Sequence, residues 1–362
     1  MVKVLLVTLH SINIGNRLQN FALQNTLENL NFTVYNPIYS LKEPMSLKEK
    51  VIYFVKLVLG IVNVKKYRKI IMDKKRKIVF ERFDNEFINN KFLVNFDNIY
   101  IDNWENYDYA ITGSDQVWHK WFNDIYELPY FYLDFIPNDK RIAYAASFGF
   151  SYFNPNDKEI HRKGINNMRF ISCREKRGQE LIYSLTNKKA EIVLDPTMLL
   201  TVDEWRQIEK KPKYKVKQKY ILVYFLGKFD FYRQDIKEFA IRNDLQIINI
   251  FDIDDEKHYC TSPEEFIWLV ENAMIIFTDS FHACVFSILF HKSFKVFRRK
   301  EIGFEDMFDR VESLLNTFRL QDNIFDGNNI DELNVSDWNY VEDILQILRE
   351  QSMDFLCNAL NI

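Results

Sequence analysis

Residues 2–30 read VKVLLVTLHSINIGNRLQNFALQNTLENL, and their patterning decides the fold. Val2 to Leu9 is a run of aliphatic and β-branched residues, the composition of a buried strand. A polar turn, HSINIGNR, follows, and Leu18, Phe21, Ala22, Leu23, Leu27 and Leu30 then recur at helical spacing. Phe32 to Ile38 returns to strand composition. Strand, turn, helix and strand make a βαβ unit whose first turn lies at the carboxyl edge of a parallel sheet, where open α/β folds bind ligands. That placement puts Asn13, Gly15, Asn16 and Arg17 where a ligand would be. The turn has one glycine, Gly15, so the GxGxxG dinucleotide fingerprint is missing.

The pattern repeats along the chain. Tyr107 to Thr112 ends in Gly113-Ser114-Asp115-Gln116-Val117-Trp118, and Arg141 to Ser147 leads into Phe148-Gly149. Arg169 to Cys173 ends in Arg174-Glu175, and Glu191 to Leu194 ends in Asp195-Pro196. A parallel sheet brings such turns to one edge. The lysine-rich run 210–219, KKPKYKVKQK, reads as a linker. Strands are expected beyond it at Tyr220–Leu226, Leu245–Phe251 and Met274–Thr278, the last running through Thr278-Asp279-Ser280-Phe281-His282 into a helix. The expected fold is therefore α/β, with two Rossmann-like domains facing a cleft. Residues 1–209 form the first, 220–337 the second, and an amphipathic helix within 338–362 returns to the first.

A chain of 362 residues suits two domains of that size. Hydrophobic residues at 47% and charged residues at 27% are ordinary for a globular protein and exclude a disordered or fibrous one. The net charge of −3 gives no overall footprint for nucleic acid. Cys173, Cys260, Cys284 and Cys357 are scattered without a CxxC pair, which suits a reducing cytoplasm and neither a disulfide framework nor a zinc ribbon. The opening MVKVLLVTLH lacks the layout of a secretory signal, and no stretch of 18 apolar residues occurs, so a cytoplasmic location is expected. Between Leu41 and Arg82, 13 lysines and arginines stand against 4 acidic residues. This segment, Lys42 to Arg82, is read either as a solvated basic helical excursion or as a contact for an anionic membrane surface or a lipid-linked acceptor.

Several residues could carry chemistry. His282 falls in the first turn of a helix, where unpaired backbone N–H groups and the helix dipole attract a phosphate-type anion, so it is either an acid/base or a structural cap. Arg174, at the end of a buried strand, either bridges a carboxylate such as Glu175 or Asp195 or awaits an anionic ligand. Asp115 either caps the following helix or orients a hydroxyl. Trp118, with His119 and Trp121, could stack on a sugar face, or fill the core as aromatics ordinarily do. No DxD, HxH or HExxH spacing supports a metal site, and no cofactor is expected.

Seven ordered blocks resemble the polysaccharide pyruvyl transferase family: NIGNRLQNFALQNTL, ITGSDQVW, KRIAYAASFG, ISCREKRGQEL, VLDPTMLLTVDEW, SPEEFIWLVENAMIIFTDSFHACVFSILFHKSF and DRVESLL. The resemblance spans nearly the whole chain and implies a glycosyltransferase-B-like pair of Rossmann halves. It implies transfer of a pyruvyl group from phosphoenolpyruvate, as co-substrate, to two hydroxyls of a sugar in a bacterial surface polysaccharide such as capsule or exopolysaccharide, closing a cyclic ketal. On that mapping His282 is the acid/base, Arg174 holds the donor's anionic groups, and Asp115 orients or deprotonates an acceptor hydroxyl. Asn16, Arg17, Ser114, Gln116, Trp118, Asp195, Ser280 and Arg310 are then candidate substrate contacts. Many members carry an arginine where this chain has Ser280, which removes a cation from the donor site and makes Arg17, Arg298, Arg299 or Arg310 its substitute. The rival readings are a glycosyltransferase of the same fold using a nucleotide-sugar, and a non-catalytic glycan-assembly subunit that uses the basic segment Lys42 to Arg82 to attach to membrane or partners; a peripheral place at the inner face of the membrane is the alternative to a purely cytoplasmic one.

Overall fold

In the computed structural model, residues 2–39, 64–94, 104–121, 126–300, 308–328, 330–332 and 337–362 are described. The strand-forming runs become β1 (Lys3–Val7), β2 (Thr33–Tyr39), β3 (Lys91–Val94), β4 (Tyr109–Thr112), β5 (Arg141–Ala146), β6 (Phe170–Cys173) and β7 (Glu191–Ile192). They form one parallel seven-stranded sheet in the order β3-β2-β1-β4-β5-β6-β7. Val4 to Val7 are buried, as a central parallel strand covered on both faces requires. The chain runs outward from β1 through β2 to β3, then crosses back to β4, so the order reverses between β1 and β4. The turns after these two strands, carrying Asn16 and Asp115, flank that reversal, where a ligand crevice is expected.

The second sheet contains β8 (Tyr220–Tyr224), β9 (Gln246–Asn249), β10 (Ile275–Thr278) and β11 (Phe294–Val296), all parallel, in the order β11-β10-β8-β9. Asp279, after β10, accepts hydrogen bonds at 2.7 Å from both Leu226 N and Gly227 N after β8, tying together the turns of adjacent strands. β3 and β11 are additions to the expected strands. At four and three residues they are too short to show alternation, and only pairing with β2 and β10 makes them strands.

The halves meet along the helix Ile14–Asn29, whose first N–H groups are capped by Asn13 accepting from Gly15 N at 2.8 Å. Ile14, Leu18 and Phe21 join one apolar cluster with Trp205, Phe266, Phe281 and Phe286 from beyond the first sheet. Ring centroids of Phe21 and Trp205 lie 5.7 Å apart, and those of Trp205 and Phe286 lie 4.9 Å apart. The helix Trp338–Leu360 spans the junction: Val341 and Leu345 enter this cluster, while Phe355, Leu356 and Ala359 pack with Ile111 and Tyr144 of the first sheet. Its Ser352 Oγ accepts from Leu194 N at 2.9 Å.

The described part of the basic segment, within the helix Val64–Phe87, is a strut between the halves. Arg76 is fully buried and donates to Ile12 O at 3.0 Å, to Ile250 O at 3.3 Å and to Tyr259 O. Its guanidinium lies 4.9 Å from the Phe80 ring centroid and 4.8 Å from that of Phe251. Arg68 donates to Ile253 O at 2.9 Å, and Lys75 pairs with Glu256. Several basic side chains here thus satisfy carbonyls and carboxylates across the junction. The membrane-contact expectation covers Lys42 to Arg82, of which residues 42–63, with the apolar stretch VIYFVKLVLGIV, lie outside the described residues. Among the described residues, no helix is long and apolar enough to cross a membrane.

Candidate active site

The carboxyl edges of the two sheets converge on a buried cluster of ionisable groups. Arg174 follows β6, and its side chain is 1% exposed. Nη1 donates to Asp195 Oδ2 and Nη2 to Asp115 Oδ1, each at 2.8 Å, while Nε lies 3.6 Å from Glu175 Oε2. The face of the guanidinium covers Phe281 of the second half, 4.2 Å from its ring centroid. Burial alone would favour the neutral form, but Asp115, Asp195 and Glu175 outweigh it and hold the group charged.

Each carboxylate is fixed further. Asp195 caps the short 3-10 turn Pro196–Met198, accepting from Thr197 N at 3.1 Å and Thr197 Oγ1 at 2.7 Å, and it accepts from Ser114 Oγ at 2.9 Å. Burial opposes its charge, yet His282, Arg174 and Thr197 together hold its carboxyl far below the usual range. Asp115 has a φ of +72°, unusual for a residue with a side chain. Its backbone carbonyl accepts from Val117 N and Ser147 N, and its side chain accepts from Asn16 Nδ2. Against its burial, Arg174, His282 and Arg310 keep it ionised. Glu175 differs: burial pushes its carboxyl up despite Arg174, and Ser147 Oγ donates to it at 2.7 Å.

The second half supplies His282 and Arg310. His282 lies in the first turn of the helix Phe281–Leu289, with Nε2 3.7 Å from Asp195 Oδ2 and no hydrogen-bond partner. The ring is seated against Gly15: a Cβ on that glycine would lie 2.2 Å from His282 Nδ1. Gly15 thus serves close approach of the two halves. Arg310, in the helix Asp309–Thr317, places Nη1 3.6 Å from Asp115 Oδ1, and its buried Nε has no hydrogen-bond partner. Burial and then the charge of Arg174 pull it down to about 10, still a cation at neutral pH. A cavity of about 600 Å³ opens beside the cluster, lined among others by Arg174, Lys176, Asp195, Phe281, Asp309 and Leu314.

A family profile, polysaccharide pyruvyl transferase, matches residues 13–300. The chain belongs to the polysaccharide pyruvyl transferase family. It is accordingly a transferase of polysaccharide biosynthesis. No curated protein matches the chain. Among solved structures, it is similar to Anabaena HepE in complex with UDP and glucose, at 7% identity and a TM-score of 0.50, covering 99% of this chain and 100% of that one. It is also similar to the UDP-GlcNAc 2-epimerase of Methanocaldococcus jannaschii, at 12% identity and a TM-score of 0.46, covering 97% and 100%. Likeness at such low identity speaks to the fold alone, which is α/β and glycosyltransferase-B-like, with two parallel sheets.

Within this pyruvyl transferase fold, Asn16, Ser114, Asp115, Arg174, Asp195, His282 and Arg310 come together. Ser280 is buried beside them as N-cap of the histidine's helix, with no capping bond from its side chain. Three expectations are corrected. Trp118 is wholly buried, stacked on Tyr132 at 5.4 Å and packed on Phe148 at 4.9 Å, so no sugar can reach its face. Gln116 is packed over Gly149 and faces that turn. Arg17 turns away from Asp115 to Asp84, 2.7 Å from Nε, because it is one helical position past Asn16 and so projects about 100° around the axis. Of the other proposed cations, Arg298 is paired with Glu312 at the surface and Arg299 with Asp279. Gln19 was missed: its Oε1 accepts from Ser114 N at 3.0 Å and its Nε2 donates to Thr8 Oγ1 at 2.6 Å. His10 and Asp84 were also missed, although His10 follows β1 at the sheet edge, a signal the edge rule could have used.

Proposed function

We propose that this transferase uses phosphoenolpyruvate as donor and builds a cyclic pyruvate ketal on two hydroxyls of a sugar in a bacterial surface-polysaccharide precursor. The observation that supports it is a pair of buried groups without hydrogen-bond partners, His282 Nε2 and Arg310 Nε, in the same cluster as the ionised Asp115. A donor carrying a carboxylate and a phosphate matches a buried cation beside a helix N-terminus.

In this reading Arg310 and the first N–H groups of the helix Phe281–Leu289 receive the donor's anionic groups, so Arg310 supplies the charge that Ser280 does not. His282 gives a proton to carbon 3 of the enol while one sugar hydroxyl adds to carbon 2, with Asp115 orienting that hydroxyl and taking its proton. The bond from carbon 2 to the phosphate oxygen breaks, and phosphate departs with the electron pair. The second hydroxyl then adds to carbon 2 and its proton leaves with the phosphate. The products are the ketal and inorganic phosphate, with Asp115's proton returned to His282. Arg174, whose terminal nitrogens are committed to Asp115 and Asp195, acts as a positioning residue rather than as the donor's clamp.

Ser280 favours a second reading, a nucleotide-sugar donor. The two separate on thermal stabilisation of the purified protein, because a ligand bound only by the folded state raises the melting temperature. Phosphoenolpyruvate should raise it, and Arg310→Gln should abolish the effect. His282→Ala should keep the stabilisation while slowing ketal formation roughly 100- to 10,000-fold, read as phosphate release and appearance of the ketal methyl group by NMR. Stabilisation by UDP-, GDP- or CMP-sugars alone would replace pyruvyl transfer with glycosyl transfer.

A further inference from the structure

A second cavity, of about 460 Å³, lies on the β2 side of the first sheet's carboxyl edge. Its wall comes from the turn after β1, the end of β2 and the C-terminal half of the helix Val64–Phe87 with β3. At its base Arg17, His10 and Asp84 form a closed ring. Arg17 Nε lies 2.7 Å from Asp84 Oδ1, Arg17 Nη2 lies 3.3 Å from His10 Nδ1, and His10 Nε2 lies 3.1 Å from Asp84 Oδ2. Burial and then the charge of Arg17 push the imidazole down to about 4, so it is neutral at physiological pH. Because Arg17 can only donate, the ring's proton is assigned to Nε2 and given to Asp84.

Both oxygens of Asp84 therefore face a partner, Oδ2 the imidazole and Oδ1 Arg17 Nε, the latter as an ion pair without hydrogen-bond geometry. Arg17 is 3% exposed and its buried Nη1 has no hydrogen-bond partner. A guanidinium N–H held out of water without an acceptor is costly, and an anion removes that cost. Lys77 and Lys91 stand at the same cavity. Lys77 is 3.8 Å from Glu81, and Lys91 Nζ is bonded to Asp84 O and to Asn85 Oδ1. Three cations thus face the cavity against Glu81 and the already committed Asp84.

One side chain separates this cavity from the reaction centre. Ser11 Oγ donates to Asn16 Oδ1, and Asn16 Nδ2 donates to Asp115 Oδ2. We infer that the cavity is an anion subsite for a phosphate or diphosphate on the acceptor, so that the acceptor is a phosphate-linked sugar whose hydroxyls reach Asp115. The inference rests on the proposed reaction for the identity of the acceptor, but not for binding of the anion. Nucleoside diphosphate and lipid diphosphate carriers share this chemistry.

The test is calorimetric titration of the whole protein with pyrophosphate, with and without saturating phosphoenolpyruvate. Pyrophosphate is expected to bind in both cases, to lose about ten-fold or more in affinity with Arg17→Gln, and to be little affected by Arg310→Gln. Phosphoenolpyruvate binding should show the opposite dependence. Lys77→Gln, at the exposed rim, should weaken pyrophosphate a few-fold and reports on the site even if Arg17→Gln does not fold. Pyrophosphate that is displaced by phosphoenolpyruvate, or that ignores both Arg17 and Lys77, would overturn the inference, as would no binding. Pyrophosphate binding that needs Arg17 in a protein that does not bind phosphoenolpyruvate would overturn the donor assignment and leave this subsite standing. UDP and geranyl diphosphate separate the sources: the one that gains affinity over pyrophosphate, dependent on Arg17, identifies the carrier.

Discussion

The two sheet edges that meet at the cleft are built in opposite ways. On the first, ionisable groups largely satisfy one another: Arg174 bridges Asp115 and Asp195, and Ser114, Thr197 and Asn16 occupy further positions on those carboxylates. Arg174 Nε and Glu175 Oε2 lack hydrogen bonds there but lie 3.6 Å from each other as an ion pair, whereas on the second edge His282 Nε2 and Arg310 Nε are buried without hydrogen-bond partners. A closed network holds geometry, because each member is costly to move once its neighbours depend on it. An open group retains hydrogen-bonding capacity for something that arrives later. The contrast teaches that a buried arginine at the end of a strand is not by itself a ligand clamp, since its partners decide whether any capacity is left.

The largest effect should come from breaking the closed edge. Arg174→Ala strands two buried carboxylates and should cost roughly 3–5 kcal/mol of stability by urea unfolding. Arg174→Lys should recover only part of it, because a point charge cannot span both acids. Wild-type stability in Arg174→Ala would remove the distinction between the edges.

The histidines repeat the contrast at a smaller scale. His10 and His161 on the first half are held by neighbours, His161 Nδ1 by Tyr132 OH at 2.8 Å, and burial first of all pushes each down to about 4. The unfolded chain protonates them near pH 6.5 while the native state does not, so the native state binds fewer protons and loses stability as pH falls. Between pH 7.5 and 5 each should remove about 2 kcal/mol. His161→Gln should be less stable at pH 7.5 and show a flatter decline, whereas an unchanged slope would show that His161 does not titrate with unfolding.

The smallest effect should come from opening the second edge further. Arg310→Gln removes a buried charge whose closest carboxylate, Asp115 at 3.6 Å, keeps Arg174 as a partner at 2.8 Å, so stability should fall by about 1 kcal/mol, less than for Arg174→Ala. A loss as large as that of Arg174→Ala would mean that Arg310 belongs to the closed network.

Much of the architecture was legible in residues 2–38 and in the turns after later strands, because strand and helix periods and the edge rule are local or topological regularities. Residue types at the site were legible too: a histidine in a helix's first turn, an arginine after a buried strand, an aspartate after Gly113-Ser114. Their allegiances were not. Trp118 reads like a sugar platform until Tyr132 and Phe148 are seen on either side. Arg17 reads as Asn16's neighbour in function, yet the helical turn between them sends one toward Asp115 and the other toward Asp84. The basic segment reads as a charged surface, while Arg76 is fully buried between the halves.

By itself, then, the sequence determined the two βαβ-rich regions, the edge where chemistry gathers and the residue types available there, since hydrophobic periodicity and turn composition act over a few residues. The tertiary structure decided which charge each carboxylate answers, why Gly15 must lack a side chain beside His282, and which N–H groups of Arg17 and Arg310 remain unpartnered. Those outcomes depend on contacts between residues dozens to hundreds of positions apart, where distance and desolvation, rather than local pattern, set the energy.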